Sequence, residues 1–260
     1  MNRVDTCFQA VQEAAAILAS QAGSTRPIYK GDRDPVTGAD LASEAFLKRA
    51  LLGAFPGDGF LGEEGTQELT RTGYLWVADP LDGTVNYAHG HPYFCVSLGL
   101  LKDGVPIVGA VAHGVGPEMF QAERGGGSYR AGRRLQVSEV GDLHRALVST
   151  DFPYDQEARL GRGMRRVRAL MESCEAVRIR GSAALELCRV GAGELELFAG
   201  DGTRSWDLAA GALILEEAGG RLTDWFGAEL DLLGDPRFPL ATNGFLHGPA
   251  LEMAQSFGTL

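Results

Sequence analysis

The chain has 260 residues, 45% of them apolar, and a formal net charge of −10. That length is enough for one large domain or two intimately packed halves, while the acidic balance argues against nucleic acid as the main partner, because no basic field would draw a phosphate backbone. No segment approaches the ~18 uninterrupted apolar residues of a membrane span, and Asp5, Gln9, Gln12 and Glu13 interrupt the first apolar pattern in a way that a signal peptide would not.

Taken in order, Val4, Phe8, Val11, Ala15 and Leu18 recur at helical spacing and predict an amphipathic first helix over 3–22, stopped by Gly23. Residues 24–39 are polar and read as a solvated loop. A second helix opens at Val36-Thr37-Gly38-Ala39-Asp40, with Leu41, Ala45, Leu47 and Leu51 on its inner side. Asp40 then reads as an N-cap or first-turn acid, favoured there by the helix dipole. A turn at Gly57-Asp58-Gly59 precedes a short strand, Phe60-Leu61-Gly62, which ends in Glu63-Glu64. Neighbouring side chains of an extended segment point to opposite sides, so the two glutamates should not share one role.

The most informative stretch is 75–98. Leu75–Ala78 reads as a buried strand that stops at Asp79-Pro80, and Asp82-Gly83-Thr84 follow. Two carboxylates on a tight turn, followed by backbone N–H groups freed by glycine, suit a divalent cation and a phosphate held side by side. Alternating runs at Phe94–Leu101, Val105–His113 and Glu118–Glu123 predict an antiparallel meander, and Gly125-Gly126-Gly127 a turn without P-loop context.

The second half alternates strand and helix. Strands are expected at Ala146–Thr150, Ala176–Ile179, Glu194–Phe198 and Arg221–Asp224. Helices are expected at Asp155–Ser173, from Gly181-Ser182-Ala183-Ala184 to about Val190, at Trp206–Ala218 with Asp207 in the first turn, and at His247–Phe257. The arginines of the first of these, Arg159, Arg162, Arg165, Arg166 and Arg168, read as a solvated face. The N–H donors at the start of the second offer a site for substrate oxygens. Cys7, Cys95, Cys174 and Cys188 are scattered, which predicts reduced core thiols in a cytoplasmic protein rather than a zinc site or disulfides.

Trp76-Val77-Ala78-Asp79-Pro80-Leu81-Asp82-Gly83-Thr84-Val85-Asn86-Tyr87, with His89 and Pro92, together with Trp206-Asp207-Leu208-Ala209-Ala210-Gly211 through Glu217-Ala218-Gly219-Gly220, resemble the two signatures of the inositol monophosphatase family. The resemblance spans nearly the whole chain. It implies an α+β fold, a layered αβαβα sandwich of the inositol monophosphatase and fructose-1,6-bisphosphatase type; the change of element pattern along the chain places the division into an N-terminal half, 1–142, carrying most metal ligands, and a C-terminal half, 143–260, completing the site.

The resemblance further implies a lithium-sensitive, Mg²⁺-dependent phosphate monoester hydrolase and a homodimer. Glu63, Asp79, Asp82 and Asp207, with the Leu81 carbonyl, would hold two to three Mg²⁺ ions, Mn²⁺ being a possible substitute for such hard oxygen ligands. Thr84 and Asp40 would orient and deprotonate the attacking water, and Glu64 would support Glu63 from behind. Gly83 and Thr84 N–H groups would hold the phosphate, the Ala183 backbone would touch sugar hydroxyls, and Lys30 and Asp34 would approach from a loop over the site. His89 and His91 are not needed as nucleophiles.

The expected substrate is inositol 1-phosphate. Fructose 1,6-bisphosphate, a 3′-phosphoadenosine 5′-phosphate type nucleotide and histidinol phosphate are the alternatives. Gly200, with Asp201 beside it, stands where animal members of the family place a substrate-binding glutamate, which widens the substrate range expected. A non-enzymatic regulatory role would predict degraded ligand positions, and Glu63, Asp79, Asp82, Thr84 and Asp207 are all present.

Overall fold

A computed structural model describes residues 2–23, 27–31, 34–152, 157–234 and 237–258, excluding the side chains of Asp34 and of residues 157–159. The expected roles of Asp34 and Arg159, and a helix start at Asp155, therefore fall outside the described residues. In chain order the elements begin with α1 (Arg3–Gln21), β1 (Ile28–Gly31), β2 (Asp34–Val36) and α2 (Gly38–Ala54). Next come β3 (Gly59–Gly62), β4 (Gln67–Glu68), β5 (Tyr74–Asp82), the short α3 (Thr84–Ala88), β6 (Cys95–Lys102), β7 (Val105–His113), β8 (Met119–Glu123), β9 (Gly127–Arg130) and β10 (Arg133–Arg134). The rest are β11 (Leu147–Thr150), α4 (Glu157–Ser173), β12 (Ala176–Arg178), α5 (Ala183–Gly191), β13 (Leu197–Ala199), α6 (Ser205–Glu217), β14 (Arg221–Asp224), β15 (Pro239–Thr242) and α7 (His247–Ala254).

An eight-stranded sheet runs β10-β9-β8-β7-β6-β5-β3-β4, and a five-stranded sheet runs β12-β11-β13-β15-β14. Helices α1 and α2 pack on β5, β6 and β7, α5 and α6 fill the space between the two sheets, and α4 and α7 cover the outer face of the second. This is the layered αβαβα sandwich of the α+β class. The expected meander is β6-β7-β8, antiparallel throughout and extended by the β9–β10 hairpin that the triple glycine had hidden.

Helix α6 shows why the middle layer forms. Leu208 through Leu215 are all buried, as a helix with a sheet on both sides must be. It lies close against the first sheet because Gly99 and Gly109 carry no side chain there. A Cβ on either would sit 2.8 or 2.7 Å from α6 atoms of Ala209 and Ala210.

Several expectations are corrected. The polar loop over 24–39 contains the short antiparallel β1–β2 hairpin. Helix α2 does not bury Leu41 or Ala45, both exposed; its inner face is Asp40, Ser43, Glu44, Leu47 and Leu51. Its site-facing residues are polar, so an apolar count misjudges the face. Strand β5 does not stop at Asp79 but continues through Pro80 to Asp82, with its register against β6 shifting between the two aspartates. A proline is tolerated in a strand where the ladder is already broken.

The arginines of α4 are not one solvated face. Arg165 and Arg168 are exposed, but Arg166 is fully buried and Arg162 nearly so. Arg166 donates to Asp201 Oδ2 at 2.8 Å, Thr150 Oγ1 at 2.8 Å and Asp151 Oδ1 at 3.0 Å. Arg162 grips both Asp201 oxygens at 2.8 and 2.9 Å. The four cysteines are free thiols, three of them buried and Cys174 partly so.

Candidate active site

The β3–β5 pair is parallel, with Gly62 opposite Ala78, so the residues that follow the paired stretch on each strand are Glu63 and Asp79. The Glu63 N–H donates to the Ala78 carbonyl at 3.2 Å, which holds the two carboxylates side by side. In a regular strand residues three apart face opposite sides, and the register shift between Asp79 and Asp82 re-aims them. The Leu81 N–H donates to Asp79 Oδ1 at 2.9 Å, and Ser43 Oγ donates to the Pro80 carbonyl at 3.0 Å, so the bend is tied at both ends.

Asp40 and Asp207 reach the site by one device used twice. Each is the third residue of its helix, and each accepts the N–H of the residue three before it: Thr37 at 2.8 Å to Asp40 Oδ2, Arg204 at 2.7 Å to Asp207 Oδ2. This is the carboxylate half of a capping box, and it leaves each side chain locked at a helix N-terminus. The Thr37 hydroxyl also donates to Asp40 Oδ2 at 2.5 Å. Thr84 Oγ1 stands 3.1 Å from Asp40 Oδ1 and 2.9 Å from the Leu81 carbonyl, able to donate to either. Gly83, at φ 92 in the left-handed region, turns the chain from β5 into α3 and starts that short helix.

Asp82 has partners that the sequence reading missed. Ser182 Oγ donates to its Oδ2 at 2.6 Å, the Ala184 N–H at 2.8 Å, and Cys95 Sγ at 3.7 Å. The Ala183 N–H is also turned to Asp82. The donors expected to meet substrate oxygens at the start of α5 therefore hold a site carboxylate in this structure. No signal in the sequence links Asp82 to Ser182, because the contact spans 100 residues. Asn86 adds a second tie to this region, its Nδ2 lying 2.7 Å from both the Tyr93 and Arg180 carbonyls.

Glu64 and its surroundings form the outer wall. Lys30 Nζ donates to both Glu64 oxygens at 3.0 Å and lies 3.9 Å from Glu63. The buried Glu44 accepts the N–H groups of Glu64 at 2.8 Å and Thr66 at 3.3 Å. Glu44, which braces the backbone at Glu64, was not singled out from the sequence, where it is one more acid on a helix. His89 and His91 are both exposed.

Electrostatics bind the pieces into one site. Burial, then the charge of Asp207, pushes the Glu63 carboxyl up; burial, then Glu63, Asp82 and Asp207, pushes Asp79 up. Glu63 and Asp79 lie near enough that each perturbs the protonation of the other. Asp207 rises to about 7 through burial and the charge of Asp82, and Asp82 to about 6 through burial, against the donors that hold it. Asp40 is likewise raised, by burial. Acidic groups that raise one another in this way are unfavourable together unless protons or cations sit between them.

Hard oxygen donors without imidazole or thiolate suit Mg²⁺ or Mn²⁺, so the donor chemistry fits the implied ion. Among the described residues no three Asp, Glu, His or Cys side chains already stand at the spacing of a closed coordination shell. The four carboxylates form an electrostatic cluster rather than a finished cage. A separate cavity of about 690 Å³ lies at the other end of α6, lined by Arg124, Glu216, Arg221 and Glu229 among others.

The profile of the inositol monophosphatase family matches residues 2–256. An inositol-1-monophosphatase of Rhizobium meliloti is 38% identical over 226 residues, covering 85% of this chain and 85% of its own length. A Nus factor SuhB of Xylella fastidiosa is 35% identical over 208 residues, 80% of this chain and 75% of its own. Among solved structures, an inositol monophosphatase from Anabaena (Nostoc) sp. superposes with a TM-score of 0.86 at 34% identity, covering 96% of this chain and 94% of that one.

Proposed function

The chain belongs to the inositol monophosphatase family and is a phosphatase, and we propose that its reaction is the Mg²⁺-dependent hydrolysis of a small polyol phosphate, inositol 1-phosphate first among the candidates. The observation that carries this is the cluster of Glu63, Asp79, Asp82 and Asp207, whose charges are felt by one another in a buried setting. Held by these carboxylates and the Leu81 carbonyl, divalent cations would supply positive charge to the phosphoryl oxygens and make water acidic enough to attack.

The protein's own part is positioning and proton transfer. Asp40, raised by burial and held by Thr37, is the base, and the Thr84 hydroxyl between it and the Leu81 carbonyl fixes where the water must stand. Gly83 and Thr84, at the start of α3, present backbone N–H groups to the phosphate. Asp82, oriented by Ser182 and Ala184, holds the side of the site from which the alcohol leaves. Lys30 and Glu64 close the outer wall beside Glu63.

The test is phosphate release from inositol 1-phosphate, fructose 1,6-bisphosphate, 3′-phosphoadenosine 5′-phosphate and histidinol phosphate, with and without Mg²⁺. Turnover only with the metal and highest kcat/KM for inositol 1-phosphate is expected. Inactivity on all four would overturn the reading, and a better alternative substrate would correct its specificity. The name Nus factor of the Xylella relative adds a second reading, in which a protein partner uses the same fold. The intact carboxylate set supports hydrolysis as the primary activity.

A further inference from the structure

Asp151 follows directly on β11, at the carboxyl end of the parallel strands β11, β12 and β13, the end of such a sheet at which ligands bind. Its neighbour is the turn from Gly200 to Arg204 that leads into α6 and Asp207. The Asp201 N–H lies 3.0 and 3.1 Å from the two Asp151 carboxylate oxygens, and Arg166 Nη2 donates to Oδ1 at 3.0 Å and to the Asp151 carbonyl at 2.8 Å. The carboxylate is thus fixed by a fully buried arginine, yet its side chain is 25% exposed. Among the described residues Oδ2 shares only the Asp201 N–H, and a carboxylate oxygen can take about two partners.

Its companion acid cannot serve in its place. Asp201 is fully buried at its side chain and has both oxygens gripped by Arg162 and Arg166. Gly200 cannot either: a Cβ there would lie 2.8 Å from Pro239 Cγ, 3.0 Å from Thr203 Cγ2 and 3.2 Å from Asp151 Oδ2. The Asp151 carboxylate fills the space that a side chain at 200 would need. It also borders the site, since the turn whose Asp201 N–H it accepts runs directly into α6 and Asp207.

The geometry points to Asp151 as the fixed acceptor that binds hydroxyl groups of the departing polyol, and so as a residue that decides which polyol phosphate is hydrolysed. A cation ligand is the poorer fit, because the Arg166 guanidinium already sets positive charge on the same carboxylate, at Oδ1. A hydroxyl has a proton to donate and no charge to repel, so it suits an acceptor backed by arginine. Burial lifts Asp151 to about 6, which leaves it ionised and accepting at neutral pH.

This assignment rests on the phosphatase reading above, and the experiment separates the two. Wild type and Asp151→Asn are assayed with Mg²⁺ on inositol 1-phosphate and on 4-nitrophenyl phosphate, whose leaving group has no ring hydroxyls. The ratio of the two kcat/KM values is expected to fall on the order of 10- to 100-fold in the variant, chiefly through KM for the polyol. In wild type, removing one hydroxyl from the substrate, tested across the single-deoxy inositol 1-phosphates, should lower kcat/KM by a similar factor for at least one analogue, and Asp151→Asn should lose nothing further with that analogue.

A ratio unchanged within about twofold, or equal losses on both substrates with a shifted Mg²⁺ requirement, overturns the assignment while leaving the phosphatase reading intact. Should the variant fail to fold, the deoxy series on wild type still decides: no analogue impaired means no such acceptor. Wild type inert on both phosphates removes the reading and the assignment together.

Discussion

Thr84 Oγ1 lies 3.1 Å from Asp40 Oδ1 across 44 residues of sequence, joining the turn after β5 to the first turn of α2. The hydroxyl has one proton and two acceptors in reach, Asp40 and the Leu81 carbonyl. If the pair acts on one water, Thr84→Ala and Asp40→Asn should each lower kcat by about 100-fold or more. The double variant should be little worse than the worse single one, because residues working as a unit are not additive. Steady-state kinetics of the two singles and the double check this; effects that multiply would separate the two residues.

Buried acids as close as Glu63 and Asp79 disfavour two negative charges, so a proton is favoured on the pair unless a cation replaces it. Both carboxyls are raised in the fold, so without metal their contribution to stability is present at low pH and lost as pH rises through the folded values. Mg²⁺ should reverse that. Thermal unfolding at pH 8 should shift upward with added Mg²⁺, on the order of 2.7 kcal/mol at a hundredfold excess over its Kd, and the shift should shrink as pH falls toward 5. Asp79→Asn should abolish turnover and the Mg²⁺ shift, and should leave the metal-free protein at least as stable as wild type. A metal-free variant that unfolds well below wild type would argue for a structural role instead.

Arg166 is the hub of a buried network. It is fully buried, reaches Asp201, Asp151 and Thr150, and lies 5.2 Å from the Trp225 ring centroid. Arg166→Leu leaves Asp151 without its guanidinium and Asp201 with Arg162 alone, so a loss of about 3 kcal/mol is expected in urea unfolding. Arg168→Leu, on the exposed side of the same helix, removes a surface pair with Glu172 and should leave the urea midpoint nearly unchanged. Equal losses would show that the buried carboxylates do not depend on Arg166.

His247 sets a separate pH dependence. Its ring nitrogens lie 3.2 Å from Thr223 Oγ1 and 3.0 Å from Thr242 Oγ1. Burial, with the charge of Arg221, lowers it to about 4. The neutral ring is the folded form, so stability is full above the unfolded value near 6.5 and declines as pH falls toward 4. The decline should be about 1–2 kcal/mol between pH 7 and pH 4.5, and His247→Gln should remove that part of it. Parallel pH profiles of the urea midpoint for the two proteins would contradict the assignment.

Local chemistry was legible in the sequence and distant pairing was not. Asp79, Asp82, Gly83 and Thr84 stand within six residues, so short-range pattern singled them out, whereas Asp40 and Asp207 read as first-turn acids until the family resemblance gave them roles. The layered fold was implied by that resemblance. The β1–β2 hairpin and β9–β10 were missed because their partners lie in polar or glycine-rich sequence. Burial of Arg162 and Arg166 was missed because a helix periodicity shows which residues share a face, not what that face meets.

By itself, the order of residues determined the acidic, oxygen-rich character of the site and the helix and strand ends that present it, since capping and turn chemistry act over three or four residues. Only the tertiary structure decided that Ser182 and Ala184 hold Asp82, that Glu44 braces Glu64, and that Asp151 rather than Asp201 keeps an open carboxylate. Those outcomes depend on which strand ends lie beside one another after the sheets have packed. That arrangement is set by the whole core, and no short stretch of chain contains it.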